Sequence, residues 1–151
     1  MVRRGLLGAF FPFLIAGAAG CGSSSSPTAP VADPTVVSDT FTGTINPLGT
    51  DSHTFTVGYA GGTSNASVTV VALATVANQT PQTITIGVGF GSLNQGVCTP
   101  ALTIPAAAVG AELATTSSPF LAGAYCVLVF DNPAAPTVTE PLTYTIKVNH
   151  F

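Results

Sequence analysis

Hydrophobic and polar side chains alternate along much of the chain, which is the pattern of β-strands that bury one face. The alternation is clearest in three segments, at 39–45, 53–59 and 83–90. In the second of these, the apolar Phe55, Val57 and Tyr59 alternate with Thr54, Thr56 and Gly58. We therefore expect each segment to be a strand with its apolar side chains directed inward.

Less regular segments also favour strands, and they lie at 67–73, 101–104, 112–116 and 142–148. Stretches rich in proline, glycine, asparagine or other polar residues separate the predicted strands, at 46–51, 74–82 and 133–141, and such residues favour turns and loops. One helical turn at 106–110 is the most helix that we expect, because Gly110 and nearby prolines interrupt a longer one.

The most continuous apolar segment of the second half is Tyr125–Phe130, bounded by Gly123 and by the turn residues Asp131-Asn132-Pro133. A run this short, rich in β-branched and aromatic residues, is typical of a strand buried on both faces. We predict that it is the central strand of an all-β fold. The spacing of the strands favours an antiparallel β-sandwich of about seven to nine strands.

Composition supports this fold and narrows the possible partners. Charged residues make up 6% of the chain, against about a quarter in average soluble domains. The chain has three basic residues and a pI of about 4.9. It therefore lacks the clustered lysines and arginines that replace counterions on a phosphate backbone, and we expect no nucleic-acid partner.

The N-terminus has the layout of a secretory signal peptide, with two arginines, an apolar run at 5–19 and small residues before Cys21. The run is shorter than the roughly 20 apolar residues of a membrane-spanning helix. Ala18-Ala19-Gly20-Cys21 resembles the lipobox of bacterial lipoproteins. The resemblance implies that residues 1–20 are removed and that Cys21 carries acyl chains. A plain secreted protein with Cys21 near the cleavage site by chance is the alternative.

A Ser/Gly/Pro-rich tract at 22–30 follows, and this composition is typical of a flexible tether. We therefore divide the chain into a signal peptide at 1–20, a lipidated cysteine with its tether at 21–37, and a β-sandwich domain at 38–151. Glycine rather than aspartate follows Cys21. By resemblance to lipoproteins of bacteria with two membranes, this favours the outer membrane, on its periplasmic or its surface face.

Two cysteines remain in the mature chain, Cys98 and Cys126. An even pair in an oxidising compartment favours a disulfide, which would contribute about 3–4 kcal/mol by loop entropy. A metal site would need further nitrogen or sulfur ligands, and the chain offers two histidines, His53 and His150. Paired free thiols are the other alternative.

Four segments carry a resemblance to the bacterial pre-peptidase C-terminal domain: Phe41-Thr-Gly-Thr-Ile45, Gly49-Thr-Asp-Ser-His-Thr-Phe-Thr-Val57, Ala122-Gly-Ala-Tyr-Cys-Val127 and Tyr144-Thr-Ile-Lys-Val148. Members pair a glycine- and aspartate-containing opening with later G-x-Y and Y-x-(L/I)-x-V strands. This chain departs from the pattern at His53, where members have a second acid. The resemblance implies a jelly-roll-like sandwich that accompanies secreted enzymes and is not itself catalytic.

Candidate chemistry is sparse. Asp51-Ser52-His53 contains the residue types of a hydrolase triad, but adjacent strand residues point to opposite faces, whereas a triad converges from distant segments. Asp39, Asp51 and Asp131, with Asn132, are weak calcium candidates, and solvated loop acids or Asx turns are the alternative.

Carbohydrate sites usually stack sugars on exposed aromatic rings, and the chain has no tryptophan. Its three tyrosines, Tyr59, Tyr125 and Tyr144, lie on apolar strand faces, where a core role is expected. The carbohydrate-binding interpretation is weakened by this composition but stays open.

We therefore expect a non-enzymatic, lipid-anchored β-sandwich at the bacterial cell envelope, without a cofactor or a metal. It would act as an accessory or interaction module with a protein or polysaccharide partner. A carbohydrate- or calcium-binding surface lipoprotein is the alternative. A small secreted hydrolase is a third hypothesis, which requires a histidine and an acid that converge in the fold.

Overall fold

The computed structural model of the chain describes residues 35–58, 65–115 and 121–151. The predicted signal peptide, Cys21, almost all of the tether, and Tyr59 lie outside these ranges. The described residues form eight strands and no helix: β1 Val37–Ile45, β2 Thr50–Val57, β3 Ser67–Thr75, β4 Ile86–Asn94, β5 Val97–Ala107, β6 Glu112–Ala114, β7 Gly123–Phe130 and β8 Leu142–His150. None of the described segments is therefore an apolar helix of membrane-spanning length.

The eight strands form two four-stranded antiparallel sheets. Their orders are β1-β8-β3-β6 and β2-β7-β4-β5. Strands that follow one another in the chain mostly lie in opposite sheets, so the order is that of an eight-stranded jelly roll. The edge strands β1 and β2 lie beside each other on one side of the sandwich, and β5 and β6 lie beside each other on the other side. The predicted antiparallel sandwich is confirmed.

The core lies between the two sheets and follows the predicted alternation. In β1, Phe41 and Ile45 point inward while the threonines between them are exposed. In β2, Phe55 and Val57 are buried, as predicted. The largest fully buried side chains are Tyr144, Phe90, Ile45, Ile86, Leu142 and Ile146, with six valines. Each such aliphatic or aromatic side chain contributes about 1.5–3 kcal/mol through removal of its surface from water.

The strand predicted to be central, Tyr125–Phe130, is confirmed as an interior strand, because β7 pairs with β2 on one side and with β4 on the other. Burial on both faces is partial. Cys126, Val127 and Val129 are fully buried, whereas Leu128 and Phe130 on the outer face are partly exposed.

Three predicted strands begin three or more residues away from the observed start. β2 begins at Thr50 rather than His53, because a tight turn closed by the bond from Gly49 N to Asn46 O (2.8 Å) ends the preceding loop early. β4 begins at Ile86 rather than Thr83. The weak strand at 101–104 belongs to one long strand, β5.

The predicted helical turn at 106–110 is also wrong. Ala106 and Ala107 end β5, and a turn follows at Val109-Gly110. The amide of Gly110, which has a φ of +86°, donates to Val70 O at 2.8 Å. The bond from Ala111 N to Ala108 O (2.9 Å) closes this tight turn, and the backbone of Gly110 and Ala111 pairs with Val70 of β3 rather than forming a helical turn.

The disulfide between Cys98 and Cys126 is confirmed, with the two Cα atoms 5.7 Å apart. It joins β5 to β7, although β4 lies between these strands in the sheet order. The backbone of β5 approaches β4 closely at Gly91, where a Cβ atom would lie 1.9 Å from Thr99 O. The register of β4 against β5 also shifts between Phe90 and Gly91, as at a β-bulge.

Candidate functional site

Polar side chains meet between the two sheets beneath the edge strands β1 and β2. Asp51 and His53 lie on β2 and share the inward parity of Phe55 and Val57. Tyr144 lies on β8 in the other sheet, opposite Gly43 of β1. We call Asp51, His53 and Tyr144 the inter-sheet cluster.

A chain of short hydrogen bonds connects the three side chains. The Tyr144 hydroxyl lies 2.6 Å from Asp51 Oδ2 and 2.7 Å from His53 Nε2, and His53 Nε2 lies 3.8 Å from Asp51 Oδ2. An ionised carboxylate can only accept hydrogen bonds, so the Tyr144 hydroxyl donates a hydrogen bond to Asp51. The hydroxyl then accepts from His53, which places a proton on Nε2 of the imidazole.

The cluster is partly shielded from water. The side chain of His53 is 21% exposed and that of Asp51 is 32% exposed, and the Phe41 ring stacks on His53 with centroids 4.8 Å apart. Burial, the hydrogen bond to Asp51 and the negative charge of Asp51 all raise the pKa of Tyr144 well above its usual value of 10.0. The phenol therefore remains a hydrogen-bond donor instead of becoming a base or a nucleophile.

Gly43 is the residue of β1 that makes room for the cluster. A Cβ atom at this position would lie 2.3 Å from Asp51 Oδ2 and 2.4 Å from the Tyr144 hydroxyl. The absence of a side chain thus lets a carboxylate and a phenol meet under an edge strand. The bond between them connects β2 in one sheet to β8 in the other.

Replacing Tyr144 by phenylalanine is expected to lower the free energy of unfolding by about 1–2 kcal/mol, because Asp51 loses a donor and His53 an acceptor. The raised pKa of Tyr144 stabilises the fold below pH 10, and this stabilisation is lost as the pH rises further. Urea unfolding of both proteins between pH 7 and 11 checks this. The wild type should lose more stability than Tyr144→Phe above pH 10, and parallel curves would contradict the assignment.

Ser52 does not join this cluster. Its side chain is exposed on the outer face of β2, and its amide donates to Asp51 Oδ1 at 2.8 Å. Asp51, Ser52 and His53 therefore do not form a nucleophile–base–acid arrangement, as the alternation predicts. A histidine and an acid do converge here, but the hydroxyl that joins them belongs to Tyr144.

A second histidine–aspartate pair lies at the end of the sandwich. His150 Nε2 is 3.0 Å from Asp39 Oδ2, and the His150 side chain is 4% exposed. The ring packs on Phe55 with centroids 5.1 Å apart. Its Nδ1 atom is buried and has no hydrogen-bond partner in the described part of the chain. An open depression of about 500 Å³ adjoins the pair and is also lined by Thr35 and Thr56.

Asp131 has a different role from Asp39 and Asp51. Asp131 is 2% exposed. Its carboxylate accepts hydrogen bonds from the backbone amides of Leu48 (2.9 Å), Thr137 (3.0 Å) and Val138 (3.4 Å). Burial acts to raise the pKa of Asp131, but these three amides outweigh it and lower the pKa below 3.8. Asp131 thereby fixes the turn before β2 to the loop before β8.

The weak calcium candidates do not come together. Asp39 bonds His150, Asp51 bonds Tyr144, and Asp131 bonds backbone amides. Asn132 accepts from the amide of Ala134 at 3.0 Å, as in an Asx turn. Among the described residues, no group of three or more histidine, cysteine, aspartate or glutamate side chains is arranged to hold a metal ion.

The chain matches no model of a known protein family. No curated protein matches it either. The resemblance to the pre-peptidase C-terminal domain therefore depends on the four segments quoted above.

The inter-sheet cluster was missed because its members come from distant strands. The sequence pattern places Tyr144 in the core, and it gives no reason to pair Tyr144 with His53. The available signal was parity: Asp51 and His53 share the inward face of Phe55, so two polar side chains were directed into an apolar interior. Buried polar groups require partners, so this parity predicts a polar partner across the interior without identifying which residue it is.

Proposed function

We propose that this chain is a non-enzymatic, lipid-anchored β-sandwich protein of the bacterial cell envelope. It would act as an accessory or interaction module held at the outer membrane by the lipid on Cys21. The observation that carries the proposal is the order of segments in the sequence: a signal peptide, a lipobox-like cysteine, a polar tether and then a domain. Such an order suits a domain that works at a distance from a membrane.

The hydrogen bonds that the polar side chains make within the fold support a non-catalytic role. Asp51, His53 and Tyr144 bond one another, and Asp131 bonds backbone amides. Each of these groups is used to join strands or loops. Separate partners for the three aspartates also favour an interaction module over the calcium-binding alternative.

We further propose kinship with the pre-peptidase C-terminal domain. The eight-stranded jelly roll agrees with the fold that this resemblance implies, and the quoted segments fall on β1, β2, β7 and β8. A family of accessory domains is consistent with a module that carries no catalytic site of its own.

Replacing Cys21 by serine is expected to release the protein from the membrane, because the acylated thiol is its proposed anchor. Cells grown with a clickable palmitate analogue are fractionated, and the label and the protein are followed in membrane and soluble fractions. The wild type should be labelled and should require detergent for release, whereas Cys21→Ser should be unlabelled and soluble.

The matched control is the double variant C98A/C126A, which removes the other two cysteines and should keep both the label and the membrane location. An unlabelled wild type, or a Cys21→Ser variant that stays in the membrane fraction, would overturn the anchor.

A further inference from the structure

The four edge strands of the sandwich differ in how they are protected against pairing with another chain. β5 carries Pro100 and Pro105, each of which lacks an amide donor, and β6 has three residues. Prolines and short strands are devices that prevent edge-to-edge association. β1 and β2 have nine and eight residues and contain no proline. One side of the sandwich thus carries prolines and a very short strand, and the other side carries neither.

The β1 edge is the more open of the two. β1 pairs with β8 in continuous register from Val37 to Ile45, with no bulge. Among the described residues, no other backbone hydrogen bond reaches this strand. In an antiparallel strand, amides and carbonyls alternate between the two sides, so every second residue of β1 directs its backbone groups away from β8. In β2, by contrast, the Ser52 amide already bonds Asp51.

We propose that a second copy of this chain pairs with β1, in antiparallel orientation and with Phe41 opposite the partner's Phe41. This register pairs all nine residues of the strand, and a twofold axis passes through its centre, as an isologous dimer requires. The β1-β8-β3-β6 sheet of one copy then joins the same sheet of the other copy, which forms one sheet of eight strands. A second copy of the chain would be a partner of the proposed interaction module, so the proposed pairing rests on the proposed function.

The side chains of β1 are compatible with this register. Thr40 lies opposite the partner's Thr42 and Ser38 opposite the partner's Thr44 on the outer face, and cross-strand pairs of hydroxyl residues are favourable. On the inner face Asp39, the charged residue of the strand, lies opposite the partner's Gly43. Asp39 therefore does not face the partner's Asp39, and inward positions face inward positions along the whole strand.

Charge substitutions at the exposed outer positions test the register. T40K/T42K places lysine opposite lysine at both contacts, whereas T40K/T42E places lysine opposite glutamate at both. T54K/T56K adds the same two charges at exposed positions of the other open edge strand, β2, and serves as the matched control. All four full-length proteins are purified in mild detergent, checked for β-sheet content by circular dichroism, and analysed by sedimentation velocity.

We expect dimers for the wild type, T40K/T42E and T54K/T56K, and a loss of dimer for T40K/T42K. A monomeric wild type would mean that another segment covers the β1 edge, and it would overturn the proposal. So would a T40K/T42K protein that dimerises as well as the wild type, or a folded T40K/T42E protein that does not dimerise. Cys21→Ser should still form the dimer, so failure of the anchor and failure of the pairing give different results.

Discussion

Replacing Asp131 by alanine is expected to lower the free energy of unfolding by about 3–4 kcal/mol. Its carboxylate is the shared acceptor for the amides of Leu48, Thr137 and Val138. Alanine leaves these donors without an acceptor. The Val138 donor is buried and the other two are partly buried, and an unsatisfied buried donor costs about 1–3 kcal/mol. Urea unfolding at pH 7, followed by tyrosine fluorescence or circular dichroism, measures the loss.

Two control variants separate this role from a general effect of charge. Glu140→Ala removes an exposed acid of the neighbouring loop and should change stability by less than about 0.5 kcal/mol. Asp131→Asn keeps one acceptor oxygen and should fall between Asp131→Ala and the wild type. Equal stabilities for Asp131→Ala and Glu140→Ala would mean that the three amides find other acceptors.

Acid should weaken the same interaction in the wild type. Because the pKa of Asp131 is lowered in the folded protein, its contribution is fully present above the unfolded value of 3.8. That contribution is lost as the pH falls through the lower folded value. Stability measured from pH 6 down to pH 2 should therefore fall more steeply in the wild type than in Asp131→Asn.

Local pattern was enough to predict the fold class. Alternation in 39–45 and 53–57 predicted which side chains of β1 and β2 face inward, because the period of a strand is two and one face is buried. The disulfide followed from the even pair of cysteines that remains when Cys21 is assigned to the proposed lipid anchor. The interior position of β7 followed from its uninterrupted apolar sequence.

Contacts between distant strands were not predictable in this way. Tyr144 and Asp51 are 93 residues apart, and no local signal selects one inward tyrosine as the partner of one inward aspartate. The error at 106–110 has the same origin. Three consecutive alanines favour a helix locally, but the backbone of Gly110 and Ala111 pairs with Val70 of β3. Tertiary hydrogen bonds decided the outcome there.

Removal of the disulfide should also cost about 3–4 kcal/mol, because the bridge closes a loop with a sequence separation of 28. The double variant C98A/C126A removes it without leaving a free thiol or a buried hydroxyl at Cys126, which is fully buried. Urea unfolding of this variant and of the oxidised wild type at pH 7 measures the difference. A loss below about 1 kcal/mol would mean that the unfolded chain is already compact in this region.

The stability effects of the disulfide and of a side chain at Gly91 should be coupled. The bridge at Cys98 holds the neighbouring backbone of β5 in the space that a side chain at Gly91 would occupy. A Cβ atom at Gly91 would approach Thr99 O to 1.9 Å, and overpacking of this kind costs about 1–3 kcal/mol or more. In the oxidised protein residues 97–100 are fixed by Cys98, so Gly91→Ala should carry the full cost. In C98A/C126A the same residues can move away, and the cost should be smaller. Gly58→Ala, whose Cβ would meet no atom within 4 Å, is the matched control. Equal costs of Gly91→Ala in the two backgrounds would show that β-sheet pairing alone, without the disulfide, keeps the β5 backbone close to Gly91.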